Sequence, residues 1–472
     1  MTAIESERPV ADQGALNMRY IWAICLVAAM GGLLFGYDWV VIGGAAPFYQ
    51  KYFHLVTPAL KGWTMSCALV GCLIGAVGCG VASDALGRKR LLVAAAFLFC
   101  VSSVGTGLAP TYAMFVLWRI LGGVAIGLAS NLSPIYIAEV APENIRGRLV
   151  AANQLTIAIG VVAAQVVNWW IARPVPPLAT AAQILHSWNG QYAWRWMFAA
   201  TTVPSLLFFL GMFFAPESPR WLMKQGRAAS AKAVLTRVGG PAYGEVTAAS
   251  IAASLQQEGE GFDYHALLNR RMSRVLTLGV VLAVFQQWCG INIIFNYGAK
   301  LFSTAGYPVS GELFNIVLTG ITALLCAVLA MFLVDRIGRR VMMLAGAAGL
   351  VCVYALLGLC FWERLHGPFV VALIILAVAV YACTLAPVTW VVLSEIFPNG
   401  IRGAATAVSV FALWAACFVL TDTFPFIYKG IGPAGAFWLY GGICIAGLAF
   451  IYAALPETKG RTLEQIEAQL VK

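Results

Sequence analysis

EVAPENIRGR, residues 139–148, recurs as EIFPNGIRGA at 395–404. This repeat decides the fold because it does not stand alone. DALGRKR at 84–90 is answered by DRIGRR at 335–340, and PESPRWL at 216–222 by PETKGRTL at 456–463. Motif pairs in matching order imply an internal duplication, and duplicated halves are a mark of secondary transporters. Between the motifs lie continuous apolar runs, each long enough for the roughly 20 residues a helix needs to cross hydrocarbon. Twelve such spans are read, six on either side of one polar insert.

Composition agrees. Of 472 residues, 61% are hydrophobic and 11% charged, far more apolar than a soluble domain can hide. Runs that are continuous rather than alternating exclude a β-barrel. The expected class is an all-α membrane protein with twelve transmembrane helices. The expected division is a cytoplasmic tail at 1–19, a first half at 20–215, a cytoplasmic helical insert at 216–274, a second half at 275–455 and a cytoplasmic tail at 456–472.

Basic residues set the orientation. Arg88, Lys89, Arg90, Arg146, Arg148, Arg336, Arg339, Arg340, Arg402, Lys459, Arg461 and those of the insert share one side, which reads as cytoplasmic together with both termini. The formal charge of +10 follows from this asymmetry, so no nucleic-acid partner is inferred. No cleavable signal pattern precedes Tyr20, and the first span is expected to stay as an anchor. All twelve cysteines fall inside spans as small hydrophobes, and His54, His186, His265 and His366 sit in separate loops. No metal site, cofactor or disulfide is expected, and without a nucleophile–base set the chain is not read as an enzyme.

Asp38 stands in the apolar run GGLLFGYDWVVIGG, residues 31–44. A charge at the bilayer centre costs about 2.5–3.5 kcal/mol on insertion scales, so it calls for a partner and a function. The other charge deep in the first half is Arg119, in FVLWRILGG. Arginine does not give up its proton, so Asp38 is the member that titrates, and its protonation would release Arg119. Gly71 with Gly75, and Gly123 with Gly127, form GxxxG steps for close helix packing.

The seventh span reads FQQWCGINIIFNYG and offers Gln286, Gln287 and Asn292, amides that both donate and accept. On an unbroken helix Gln287 and Asn292 point about 140° apart, so they converge only if the helix opens near Gly290.

With GRKR, PESPRWL, QQWCGIN, SEIFPNGIRG and PETKG, the chain resembles the sugar porters of the major facilitator superfamily over essentially its whole length, including bacterial pentose–proton symporters and animal glucose facilitators. The resemblance implies two pseudo-symmetric six-helix bundles around a central cavity. It also implies import of a monosaccharide by alternating access: a pentose such as xylose or arabinose, or a hexose such as glucose. In that family proton symporters carry Asp in the GYD motif where facilitators carry Asn, so Asp38 with Arg119 implies proton coupling. A uniporter of the same fold and a non-transporting sugar sensor remain alternatives. The partners are then the monosaccharide, the proton and the lipid bilayer, with no obligate protein partner.

Carried over residue by residue, the sugar site comprises Phe35, Gln154, Gln286, Gln287, Asn292, Trp390 and Trp414. Asn296 and Tyr297 fall at an extracellular gate. At a cytoplasmic gate the resemblance implies that Glu139 faces Arg402 and Glu395 faces Arg146, with Arg88 nearby. Several positions depart from the pattern: Val161, Ala323, Leu413 and Cys417 replace polar residues, Leu385 replaces a Trp, and Asp422 stands where a Trp is expected, as a wetted entrance residue. The sugar is therefore left open. Short termini and no NxS/T site in an external loop suit a bacterial inner membrane.

Overall fold

The computed structural model describes residues 16–176, 179–257, 270–397 and 402–459. Among these residues the secondary structure is helical. The first five spans are Met18–Tyr52, Pro58–Leu86, Arg88–Leu108, Tyr112–Val140 and Glu143–Ile171. The sixth, Asn189–Phe214, opens with a π-helical turn. The seventh begins as Arg270–Trp288 and resumes as Ile291–Asn296 and Gly298–Thr304. Val309–Ile337 and Arg339–Trp362 follow, and the tenth span is jointed, Pro368–Cys383 and Leu385–Ile396.

The last stretch, Arg402–Ala454, is 53 residues of near-continuous helix. At 1.5 Å per residue it would run about 80 Å, more than twice a hydrocarbon core of about 30 Å. It breaks at Gly432, where φ is +72° with Pro433 next, and so supplies the eleventh and twelfth spans. The count of twelve and the all-α class both hold. Outward-facing side chains such as Phe214 (86% exposed) and Trp170 (80%) are those of a surface in contact with lipid.

Local chemistry sets the ends of several spans. Asn17, Thr57 and Thr111 accept backbone N–H groups at the starts of spans one, two and four. The turns into spans three and nine pivot on Gly87 (φ +94°) and Gly338 (φ +102°), a region glycine enters at no steric cost. We call the end of the molecule that carries these two turns the motif end, and the opposite one the far end.

Small residues place the helices. A Cβ on Gly71 would run into the Ile120 carbonyl and one on Gly75 into the Val124 carbonyl, with Gly123 and Gly127 facing them, so spans two and four touch backbone to backbone. Spans one and five meet likewise, Gly36 against the Ile157 carbonyl and Gly160 against that of Leu33.

The halves join at the far end. Ser66 of span two donates to Asp422 of span eleven at 3.2 Å, and the Val175 N–H donates to Ser310 at 3.2 Å. A Cβ on Gly62 would strike the Asp422 carbonyl. Asp422, expected at a wetted entrance, is thus half-buried in a seam between the halves. In the insert, Pro219–Lys224 and Ala228–Gln257 are helical, the latter kinked at Gly239 and Gly240.

Candidate functional site

Arg119 Nη1 donates to Asp38 Oδ1 at 2.7 Å, and both residues are nearly dry, 3% and 6% exposed. The guanidinium also lies 5.3 Å from the Phe198 ring. Asp38 Oδ2 and Arg119 Nε are buried with no hydrogen-bond partner among the described residues. A pair so placed is under tension: removing either charge, by substitution or by protonating the carboxylate, leaves the other without its partner. Beside the pair is a cavity of about 20 Å³, lined among others by Asp38, Trp39, Cys72, Arg119 and Asn296. That is room for one water.

The seventh span breaks where its sequence requires. Gly290 takes φ +87°, and the chain restarts as Ile291–Asn296. The break brings Gln287 and Asn292 together: the Asn292 amide donates to Gln287, Gln287 donates to Gln286 at 2.6 Å, and Gln286 donates to the Tyr381 hydroxyl at 2.8 Å. All three amides are 4–5% exposed. They form one ordered row ending on Tyr381 of the tenth span, a residue that sequence reasoning missed because a lone Tyr in VAVYACTL reads as packing.

The aromatic residues divide. Trp390 is 37% exposed and Gln154 is also exposed, but Trp414 is only 4% exposed. Its indole is covered by Phe35, at 5.6 Å between ring centroids, and Trp39, at 5.7 Å. Phe35 and Trp39 are themselves 5.5 Å apart, closing a triangle across the halves. Trp414 is therefore not available as a stacking platform in this state. Toward the far end, the Tyr297 hydroxyl donates to the Thr421 carbonyl at 2.7 Å, while Asn296 is buried beside the Asp38 cavity and its carbonyl backs onto Gly43.

At the motif end both glutamates of the expected gate are paired within their own halves. Glu139 accepts from Arg88 at 3.1 Å and Glu395 from Arg339 at 3.0 Å, each within its own half. Arg146 is exposed, and the side chain of Arg402 lies outside the described residues. Each glutamate takes the arginine on the neighbouring helix of its own bundle, and the pairing of Glu139 with Arg402 falls outside the described residues.

The third motif pair has a role the sequence did not disclose. The carboxylate of Glu217 accepts the backbone N–H groups of Arg88 and Lys89, both at 3.0 Å. Glu457 accepts those of Arg339 and Arg340 at 2.9 and 3.1 Å. Each glutamate caps the opening helix turn of a basic motif, where N–H groups are unpaired and the helix dipole is positive. Burial alone would raise the Glu457 pKa, but the N–H groups of Lys459, Arg339, Arg340 and Thr458 hold it below the usual glutamate range.

The sugar (and other) transporter family matches residues 24–470. The chain is 36% identical over 483 aligned positions to the D-xylose-proton symporter of Escherichia coli K12, covering 96% of each protein. It is 33% identical over 472 positions to the arabinose-proton symporter of Bacillus subtilis, covering 100% of this chain and 99% of that one. It also superposes on the inward-open xylose transporter of E. coli with a TM-score of 0.83 at 35% identity, covering 95% of this chain and 99% of that structure. Duplicated motifs, twelve spans and these likenesses lead to one conclusion: the chain belongs to the sugar transporter family, within the major facilitator superfamily.

Proposed function

We propose that this protein carries a monosaccharide into the cell together with a proton, by alternating access between its two halves, 20–215 and 275–455, with the motif end and both termini cytoplasmic. The observation that carries the reading is the Asp38–Arg119 pair, 2.7 Å apart and nearly dry, with the aromatic Phe35 one helical turn before Asp38 on span one. Intramembrane ionisable residues default to function, and of this pair the carboxylate alone can titrate. Two of the relatives are named sugar–proton symporters, which supports the same coupling here. The sugar would meet Gln154, Gln286, Gln287, Asn292 and Trp390, and Trp414 once uncovered. A seamed far end, with Gln154 and Trp390 exposed, fits an inward-facing state.

Counterflow in proteoliposomes tests the reading, with D-xylose, L-arabinose and D-glucose as labelled probes. Trans-stimulated uptake of at least one is expected. Binding without counterflow would make the protein a sensor, and counterflow with no response to a pH gradient would make it a uniporter.

A further inference from the structure

Trp39 follows Asp38 on the same turn of span one, so their side chains leave the helix about 100° apart. Asp38 points to Arg119 on span four, and Trp39 points across the midline to Trp414 on span eleven. Trp39 also lines the small cavity that holds Asp38 and Arg119. It therefore touches both the charged site and the aromatic wall of the proposed sugar site. Its ring, with Phe35, keeps Trp414 covered.

The floor beneath Trp39 makes span one a single rigid piece. Span one rests on span five through glycine-to-carbonyl contacts at Gly36 and Gly160, and Thr156 and Asn168 of span five donate to the Ala29 and Val41 carbonyls at 2.8 and 3.0 Å, so span one is held on either side of Trp39. Because Asp38 and Trp39 are successive residues of one rigid turn, a rotation of span one that parts Asp38 from Arg119 also displaces Trp39 from its present place against Trp414.

Resting on the symport reading, we propose that Trp39 is the positioning residue that couples proton to sugar. With Asp38 ionised and held by Arg119, the indole covers the Trp414 platform; with Asp38 protonated and Arg119 released, it withdraws and the platform opens. Sugar then binds more tightly at low pH, and by linkage bound sugar raises the proton affinity of Asp38 by the same factor. The groups about the pair are Arg119 on span four, Cys67 and Cys72 on span two, and Tyr37 and Tyr49 on span one. Thiols and phenols ordinarily titrate well above neutral pH, which leaves Asp38 as the carboxylate among them.

The test is the half-saturation concentration for counterflow at pH 6 and pH 8.5, using whichever of D-xylose, L-arabinose and D-glucose the wild type exchanges. The wild type should bind about fivefold or more tightly at pH 6, the lower bound of ordinary coupling. Trp39→Ala should bring the two values together near the tighter one, with counterflow still measurable and uphill accumulation lost. Trp39→Phe, which keeps a smaller ring, should retain part of the pH ratio, and it decides the matter alone if Trp39→Ala does not fold. Trp39 variants that keep the full wild-type ratio, or that weaken binding equally at both pH values, overturn the proposal while leaving symport standing. A wild type with counterflow but no pH ratio removes both.

Discussion

The two halves of the molecule share one end and differ in their interiors. At the motif end Gly87, Arg88, Glu139 and Glu217 are matched by Gly338, Arg339, Glu395 and Glu457, with ion pairs of 3.1 and 3.0 Å and capping bonds of 3.0 and 2.9 Å. Even the next basic residue plays the same part in both halves, since Lys89 donates to the Phe213 carbonyl and Arg340 to that of Tyr452. Inside, the symmetry stops. The first half buries a charge pair, Asp38 with Arg119, and the second a neutral row, Asn292, Gln287, Gln286 and Tyr381. What the halves share is suited to holding the bundles, and what they do not share differs in chemistry: a titratable charge pair in the first half, a row of neutral donors and acceptors in the second.

The largest effect that would sharpen this comparison lies in the first half. Arg119→Met strands a buried carboxylate, and breaking such a pair costs about 3–5 kcal/mol. Thermal unfolding in detergent should show that loss, with most of it recovered in the Asp38→Asn/Arg119→Met double variant. A single variant as stable as the parent would mean that the pair carries no tension.

In the second half the expected effect is on affinity more than on folding. Gln287→Ala or Asn292→Ala removes an amide from the row, costing about 1–3 kcal/mol or roughly five- to 150-fold in sugar affinity. Purified variants binding the exchanged sugar like the parent would move the sugar site elsewhere.

The smallest effects test the symmetry itself. Glu139→Gln and Glu395→Gln each weaken a partly buried pair, by about 1 kcal/mol on the scale of ion pairs near a surface. Being in separate halves, they should act equally and add within about 0.5 kcal/mol. Losses that differ by more than about 1 kcal/mol would show that one cluster bears more of the motif-end scaffold than the other.

How much of this was legible in the sequence follows from the physics of each feature. A carboxylate in hydrocarbon is so costly that Asp38 announced a partner, and Arg119 was the charge at hand. Gly290 between two sets of amides announced a broken helix. Repetition marked PESPRWL and PETKGRTL, but that their glutamates cap the basic turns depends on loop geometry that no periodicity carries. Ser66 and Asp422 are separated by 356 positions, and their contact follows from how the halves meet. Trp39 was invisible because an indole in an apolar run reads as packing. The gate pairing that the family resemblance implies needs the bundles to meet at the motif end, whereas the Ser66–Asp422 and Val175–Ser310 contacts join them at the far end, and the Arg402 side chain lies outside the described residues.

The central claim is that Asp38 ties proton movement to sugar movement, and sugar accumulation by sealed vesicles tests it most directly. One proton per sugar contributes about 2.3 kcal/mol per 100 mV, enough to sustain a gradient of roughly fortyfold in the wild type. Asp38→Asn, fixed in the neutral form, is expected to exchange labelled sugar but to accumulate none, and addition of sugar should draw protons inward through the wild type alone. Accumulation by Asp38→Asn equal to that of the wild type would contradict the account.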